Sequence, residues 1–577
     1  MNGFYNKVLH INLTDRSFEE EHIDDEVYQT FLGGKGLASY LLLKNTQAGI
    51  DPLSEDNVII FPTGPVTDTK VFGSSRHAVY TKSPLTGIYG EAYGGGKVAE
   101  PLSMTGYDAI LIRGISSNPV YLEVSHQKVV FHDASHIWGK ETYEADDIIR
   151  EEMGIKKAGI VVIGPAAENL VKFGIIANNY WRSLSRTGPG TVMGSKKVKG
   201  IVFYGDQKRE IADPDLLTNF WKEIRGRAKE NPRLEKYREE GTIMSVALTN
   251  KAGAFPAKYW SLGKYDKWEG LSTDALKRQC KIRAVACPKC FIACGNAGEV
   301  AEGRHTGLQF EGPEFATVNA LGGQCMIDDI TEVIYLNDVC DRLGIDTVTA
   351  GNLAAFYIEA SHIKPVGEKL EYGDVDGIAE LFNAISRREG VGAILAEGVR
   401  YAAKEWGLED MAMHVKGLEM SDYEPRVLKG MALAYATSDR GACNLRATVY
   451  SPELSGKIPP EEVEGKAEAV VDLEDRHNIF DSLILCRFFR DLYLWDELSL
   501  IINATTGMKL DKQQLQQIAS NIANKAREFN LREGITAADD TLPKRLFREK
   551  LGDSGKGITE TEFEKMKSEY YQLRGWE

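Results

Sequence analysis

CPKCFIAC, residues 287–294, places Cys287, Cys290 and Cys294 at C-x2-C-x3-C spacing. Three thiolates this close can fill three corners of a [4Fe–4S] cube, with a fourth ligand arriving from elsewhere in the chain. A structural zinc site usually pairs one C-x2-C with a second knuckle of Cys or His. No second knuckle follows, and the nearest histidine, His305, stands alone. Enzymes that cleave S-adenosylmethionine by radical chemistry use the reverse order, C-x3-C-x2-C. Cys280 lies too near Cys287 to be an obvious fourth ligand, while Cys325, Cys340, Cys443 and Cys486 are scattered. On spacing alone the fourth corner stays open. Eight cysteines in 577 residues do not make a secreted disulfide framework.

The length asks for two to four domains. The formal net charge of -15 argues against nucleic acid or an anionic membrane as partner, because either repels such a surface. The opening residues, MNGFYNKVLHINLTDRSFEEEH, alternate apolar and polar and turn acidic, which predicts a strand pair rather than a signal segment. Apolar runs such as 57–61 are too short to cross a bilayer. The expectation is a cytoplasmic protein without a membrane span.

Short β-like runs at 58–61, 109–113, 120–124 and 159–163 dominate the first two hundred residues. Between them lie glycine-dense loops, GGKG at Gly33–Gly36, GGG at Gly94–Gly96 and RTGPG at Arg186–Gly190, read as loop tips with exposed backbone amides. After about Glu210, apolar residues recur every three or four positions in 213–237, 328–343, 375–388, 391–406 and 512–529, as buried helix faces do. No internal repeat is evident. Residues 453–474 read as a surface excursion, and the last 25 residues as peripheral.

A phosphate-tailed cofactor needs close backbone approach, which glycine permits, and cations or amides for the phosphate. SSRHAVYTKSPLTG with Arg76, AYGGGK at Ala92–Lys97, and WRSLSRTGPGTVMGSKKVKG with Arg182 and Arg186 offer both. Each is weak alone: a lone glycine cluster is usually a turn, and a lone arginine usually solvated. No P-loop is present, and GGKGLAS lacks the third glycine of a dinucleotide fingerprint.

Taken in order, FLGGKGLASYLLL, TGPVT, SSRHAVYTKSPLTG, GYDAILIRG, IGPAAENLVKFG, RTGPGTVMGSKKVKGI, CPKCFIACGN, GPEFATVNALG, DRLGIDTVTAG, YEPR, ATSDRGAC and FNLREG with DDTLPKR resemble the aldehyde:ferredoxin oxidoreductase family over nearly the whole chain. The resemblance implies an α+β fold. A β-rich platform, 1–210, would seat a metallopterin. Two mainly helical domains would follow: 211–417, with the cluster motif and a first acidic pterin motif, and 418–577, with a second acidic motif and the fourth cysteine.

The same resemblance supplies site residues. DSLILC stands where the family has an acidic motif ending in cysteine, so Cys486 becomes the fourth cluster ligand. Asp341, Ile345 and Asp346 would contact one pterin, and Asp481 and Leu485 the other. Arg76 matches the arginine set between cluster and pterin. Tyr93, Gly95 and Gly96 form the glycine loop, Arg182, Ser183, Ser185 and Arg186 a phosphate-and-pterin loop, and Arg440 and Arg446 further contacts. The implied cofactors are a [4Fe–4S] cluster, a bis-pterin tungsten or molybdenum centre held by the pterin dithiolenes, and a Mg2+ ion bridging pterin phosphates. Tyr93 replaces the asparagine that helps hold that cation. Ile484 replaces the glycine of the second acidic motif, and Asn444 a cofactor-side histidine. Tyr335 stands where some members have the Glu of an intersubunit iron site, so no such iron is expected.

The implied chemistry is two-electron oxidation of an aldehyde to a carboxylate, with electrons leaving singly to ferredoxin or a ferredoxin-like subunit, in a homo-oligomer or hetero-complex. Glu314, in GPEFAT, would be a buried carboxylate that passes a proton, and Tyr423 a hydrogen-bond donor to a carbonyl oxygen. Asn444 can orient a substrate but cannot titrate; His77 and His305 are the candidates to compensate, although a structural role suits each better. Two rivals stand beside this reading. One is a low-potential reductase of an activated aromatic acid, of the benzoyl-CoA reductase type, within a larger complex. The other is a cluster-bearing electron-transfer or scaffold subunit without metallopterin.

Overall fold

The alternation near the N-terminus folds as an antiparallel pair, β1 (Lys7–Asn12) and β2 (Ser17–His22). The structure, a computed structural model, describes residues 1–576. Ten more strands follow: β3 (Ile59–Pro62), β4 (His77–Lys82), β5 (Tyr89–Gly94), β6 (Ala109–Arg113), β7 (Val120–Val124), β8 (Val129–Asp133), β9 (Gly159–Val162), β10 (Ile176–Asn178), β11 (Arg182–Leu184) and β12 (Val198–Phe203). They form two six-stranded sheets, ordered β2-β1-β6-β3-β4-β5 and β11-β10-β9-β12-β7-β8. Each sheet contains a single parallel pair, β1 with β6 and β12 with β7.

Side chains alternate across a strand, so each sheet presents two faces. Leu9, Ile11, Phe61 and Ile110 of the first sheet share a core with Leu122, Val161, Ile201 and Phe203 of the second. The outer faces are also covered. Val8, Ile60, Tyr80 and Leu111 pack on Leu37, Leu41 and Leu42 of helix Gly34–Asn45. Tyr121, Ile160 and Val202 pack on Ala145 and Ile149 of helix Thr142–Met153. Each such side chain, fully buried, stabilises the fold by about 1.5–3 kcal/mol.

Beyond the sheets the chain is mainly helical, which completes the expected α+β class. Helices Ile330–Leu343, Val375–Arg387 and Lys512–Arg532 follow the apolar periodicity. Two predicted helices are each broken in two. Residues 213–237 divide into Pro214–Lys229 and Pro232–Glu240, because the Asn231 side chain caps the second helix and Pro232 cannot extend the first. Residues 391–406 divide at Gly398, whose φ of 88° no helix accommodates. Amid the helices sits a three-stranded sheet, Cys280–Val285, Gly295–Val300 and Gln309–Glu311, which short strands did not announce. No helix among the described residues is long and apolar enough to cross a membrane.

Two surface expectations are corrected. The C-terminal helix Glu560–Arg574 is integral, with Phe563, Met566 and Tyr570 fully buried. Its Arg574 pairs with Asp475 at 2.6 Å and Glu474 at 2.5 Å. The charged stretch 453–474 is only partly an excursion: Glu453 and Lys466 form a fully buried ion pair that closes its first fourteen residues into a loop.

Candidate active site

CPKCFIAC is the loop that joins strands Cys280–Val285 and Gly295–Val300. Lys289 and Ala293 sit in the left-handed region, φ 57° and 51°, and bend the loop back on itself. The Cys290 amide donates to the Cys287 carbonyl at 3.1 Å. Cys486 arrives just beyond helix Lys466–Leu483, its amide donating to the Gly73 carbonyl at 2.9 Å. All four cysteines line one cavity of about 820 Å³. Burial pushes the Cys290 thiol up to about 12, and the neighbouring Cys486 and Cys287 sulfurs add to the effect. Cys294 is raised well above its usual value by burial, with Glu314 and Cys486 contributing. Cys280, Cys325 and Cys340 belong to a different core. Among the described residues, no three His, Cys, Asp or Glu side chains converge closely enough to hold a single ion.

Above the cysteines, the loop after β5 passes so close that a Cβ on Gly95 would stand 2.9 Å from the Cys287 sulfur. The Gly96 amide donates to that sulfur at 3.4 Å. Arg76 donates to the Tyr93 carbonyl at 3.0 Å. Arg182, with Ser183 and Ser185 beside it on the wall, pairs with Glu311. Arg186 pairs with Asp346 at 3.1 Å. Arg440 donates to the Glu91 carbonyl at 2.6 Å and to the Cys443 sulfur at 2.9 Å. Behind it, Arg446 bridges Glu91 and Asp481, the latter at 2.6 Å, and lies over the Tyr93 ring. The buried Nε–H groups of Arg440, Arg446 and Arg487 have no acceptor within the protein. Such unpaired donors are costly unless an acceptor-rich group completes them.

The two acidic motifs are the same local structure used twice. Helix Ile330–Leu343 contains Asp341 and ends on Gly344, φ 76°; helix Lys466–Leu483 contains Asp481 and ends on Ile484, φ 53°. Each helix end is capped by a Gly-Pro loop of the platform. A Cβ on Gly164 would stand 2.4 Å from the Leu343 carbonyl oxygen, and one on Gly64 2.3 Å from that of Leu483. The two acidic motifs of the sequence, DRLGID and DSLILC, thus share one local structure although only two positions, Asp341 with Asp481 and Leu343 with Leu483, are common to both. The motifs differ in charge. Burial pushes Asp341 well above the carboxylate range, with Asn337 as its one hydrogen-bond partner, at 2.7 Å. Burial also acts to raise Asp481, but the Arg446 and Arg487 guanidiniums outweigh it and hold the carboxyl below its usual value.

Most of the expected site residues line the cavity: Arg76, Tyr93, Gly95, Arg182, Ser183, Ser185, Arg186, Glu314, Asp341, Ile345, Asp346, Tyr423, Arg440 and Asn444. Gly96, Arg446, Asp481 and Leu485 do not touch it and stand behind that wall. Glu314, expected to be buried, is exposed because it faces the open cavity, where Thr242 donates to it at 2.6 Å. Tyr423 is buried and stacks on Tyr450 with ring centres 3.9 Å apart. His77 and His305 cannot stand in for the missing histidine, since neither lines the cavity. Burial pushes His77 down to about 3, so it stays neutral, and His305 is held by Glu332 at 2.8 Å and stacked on Tyr335. GGKG is not a cavity loop either: Gly34 lies against the carbonyls of Asp481 and Ser482. Nothing in the sequence marks Glu311, Asp422 or Cys443, which line the cavity, or Glu91 and Arg487, which pair with Arg446 and Asp481 behind it.

A double six-stranded platform thus meets a cysteine loop and two equivalent acidic helix ends around one cavity. The family models for aldehyde ferredoxin oxidoreductase match in sequence, the N-terminal domain over residues 8–205 and domains 2 and 3 over 219–577. The chain belongs to the aldehyde ferredoxin oxidoreductase family. It is 36% identical to the tungsten-containing aldehyde ferredoxin oxidoreductase of Pyrococcus furiosus, over 100% of this chain and 97% of that protein. Identity falls to 26% with the WOR-like subunit of an aliphatic sulfonate oxidoreductase from the same organism, over 100% and 95%. Among solved structures, the active-site complex BamBC of benzoyl coenzyme A reductase with 1,5-dienoyl-CoA shares the fold, with a TM-score of 0.85 at 23% identity over 100% of this chain and 95% of that one.

Proposed function

We propose that the chain oxidises an aldehyde to a carboxylate by two electrons at a bis-pterin tungsten centre, the electrons leaving one at a time through a [4Fe–4S] cluster to ferredoxin. One observation carries the reading: four cysteines share a single cavity with Arg76, Arg182, Arg186 and Arg440, and the Arg440 Nε–H is buried there without an acceptor. Cys287, Cys290, Cys294 and Cys486 would hold the cluster, whose irons accept thiolates too far apart for one ion. Arg76, which donates to the Tyr93 carbonyl, would stand between cluster and pterin. Arg182, Arg186, Arg440 and the serines Ser183 and Ser185 would hold phosphate and pterin. Asp341, raised by burial, would donate a hydrogen bond, whereas Asp481, held as a carboxylate, would keep Arg446 and Arg487 in place.

The metallopterin, when bound, supplies the oxygen-atom and two-electron chemistry. The chain's own task is to orient the aldehyde, exclude water and move protons. Tyr423 would position the carbonyl oxygen and Glu314 would exchange a proton with it. Tungsten, rather than molybdenum, follows the names of the relatives. A Mg2+ ion between the phosphates belongs to the same proposal; the Tyr93 hydroxyl donates to Glu91 at 2.8 Å, so such an ion would rest on phosphate, carbonyl and water oxygens. We also read the chain as three domains, 1–210, 211–417 and 418–577.

Metal analysis and activity of anaerobically purified protein test this. About four Fe and one W per chain, with aldehyde-dependent reduction of viologen or ferredoxin, is the expected result. Iron without tungsten, and no aldehyde turnover, would overturn it. Glu314→Gln should keep both metals and lose most turnover, by roughly 10²–10⁴-fold.

A further inference from the structure

The segment Ser421–Arg426 leads from the short strand Leu418–Glu419 into helix Lys429–Thr437 and turns Asp422 onto the cavity wall, beside Asn444. The Asn444 side-chain amide donates to Asp422 Oδ1 at 3.0 Å, and the Ser421 hydroxyl donates to the same oxygen. Both hydrogen bonds fall on Oδ1, and Oδ2 is left without a partner. The residue is only 3% exposed.

We propose that Asp422 is a second acid–base residue of this site, beside Glu314, and that Asn444 positions it, so that this proton-exchanging group lies one side chain away from the place where the family keeps a histidine. The proposal rests on the reading above.

Glu314 faces the open cavity and accepts from Thr242 at 2.6 Å, and the remaining carboxyls of the cavity are committed elsewhere. Glu311 and Asp346 pair with Arg182 and Arg186. Asp341 is buried and pushed far up, so it keeps its proton. Asp422 is paired with no cation. Arg186, the guanidinium nearest in effect, is spent on Asp346 and on the Glu419 carbonyl at 2.5 Å. Burial pushes Asp422 up to about 6, with the Ser421 hydroxyl and Arg186 opposing. The groups that face it are Arg186 and the phenols of Tyr423, Tyr435 and Tyr450. All three phenols are raised by burial and stay neutral, so Asp422 is the member of this cluster that changes charge near neutrality.

The balanced oxidation turns aldehyde and water into carboxylic acid, two protons and two electrons. The aldehyde C–H bond is lost, a C–O bond to the water oxygen forms, and two oxidised ferredoxins take one electron each. Asp422 Oδ2, as carboxylate, takes up one of the protons and returns it to water. Asn444 donates to the charged form and so fixes which oxygen faces the cavity.

The test uses the loaded enzyme and an infrared pH titration in parallel. Asp422→Asn should keep Fe and W content, lower kcat by roughly 10²–10⁴-fold, and remove the acidic limb of the kcat profile near pH 6. The carboxylic-acid C=O band that disappears as wild type is taken through about pH 6 should be absent from Asp422→Asn. Asn444→Ala should move that band to higher pH, because the charged form loses a donor, and Asp422→Glu should restore part of kcat. Near-wild-type kcat in Asp422→Asn, or a band that persists in it, overturns the proposal. If wild type oxidises no aldehyde, the proposed function falls, while the infrared titration still assigns or removes Asp422.

Discussion

Gly344 and Ile484 occupy the same left-handed cap at the ends of two equivalent helices. A β-branched residue in that conformation carries a strain of about 1–2 kcal/mol. Ile484 is nevertheless 1% exposed and packed in the core beneath the first sheet. Removing such a side chain costs about 2–5 kcal/mol, which exceeds the strain. Ile484→Gly is therefore expected to lower Tm even though it restores the family's glycine. A rise in Tm would mean that strain, not packing, governs the cap. Gly344→Ala should also destabilise, since its Cβ would meet the Gly164 backbone nitrogen at 2.8 Å.

Gly95 is fixed by a sulfur rather than by its dihedral angles. Gly95→Ala puts a methyl 2.9 Å from Cys287 Sγ and should lower iron content and the EPR signal of the reduced cluster. Cys290→Ala should abolish the signal. Gly226→Ala serves as control: its Cβ would meet nothing within 4 Å, on an exposed turn of helix Pro214–Lys229. That variant should keep full iron and gain about 0.5–1 kcal/mol of stability. Full cluster occupancy in Gly95→Ala would remove the loop from the cluster environment.

Arg574 neutralises Glu474 and Asp475 from the last helix, and its side chain is 2% exposed. Arg574→Met should destabilise by about 3–5 kcal/mol, because two buried carboxyls lose their partner. The sign of the pH dependence follows from Asp475. Burial raises it to about 6 despite Arg574, and loss of the guanidinium raises it further. A raised folded-state value contributes stability at low pH that is lost as pH climbs through it. The deficit of the variant should grow from pH 6 to pH 8 in thermal or urea unfolding. A deficit independent of pH would locate the effect in packing alone.

Much of this molecule is legible one segment at a time. β6 and β7 begin and end where the apolar runs do, and helix Ile330–Leu343 follows its apolar spacing. These features arise from neighbours one to four residues apart. The sheet that holds the cysteine loop escaped notice because its strands, such as Gln309–Glu311, are short and its glycines mask any alternation. The glycine loops looked equivalent in sequence, yet Gly34 packs on carbonyls and Gly95 on a sulfur.

By itself, the sequence determined the three-cysteine spacing, the strand and helix periods, and the substitutions Tyr93, Asn444 and Ile484. Tertiary structure alone brought Cys486 to that loop, stood Asp422 beside Asn444, and joined Arg446 to Glu91 across 355 positions. Hydrogen-bonded periods are local and leave their mark in order. Convergence on a cavity depends on how finished sheets and helices pack, and a charge with its partner that far along the chain leaves no local trace.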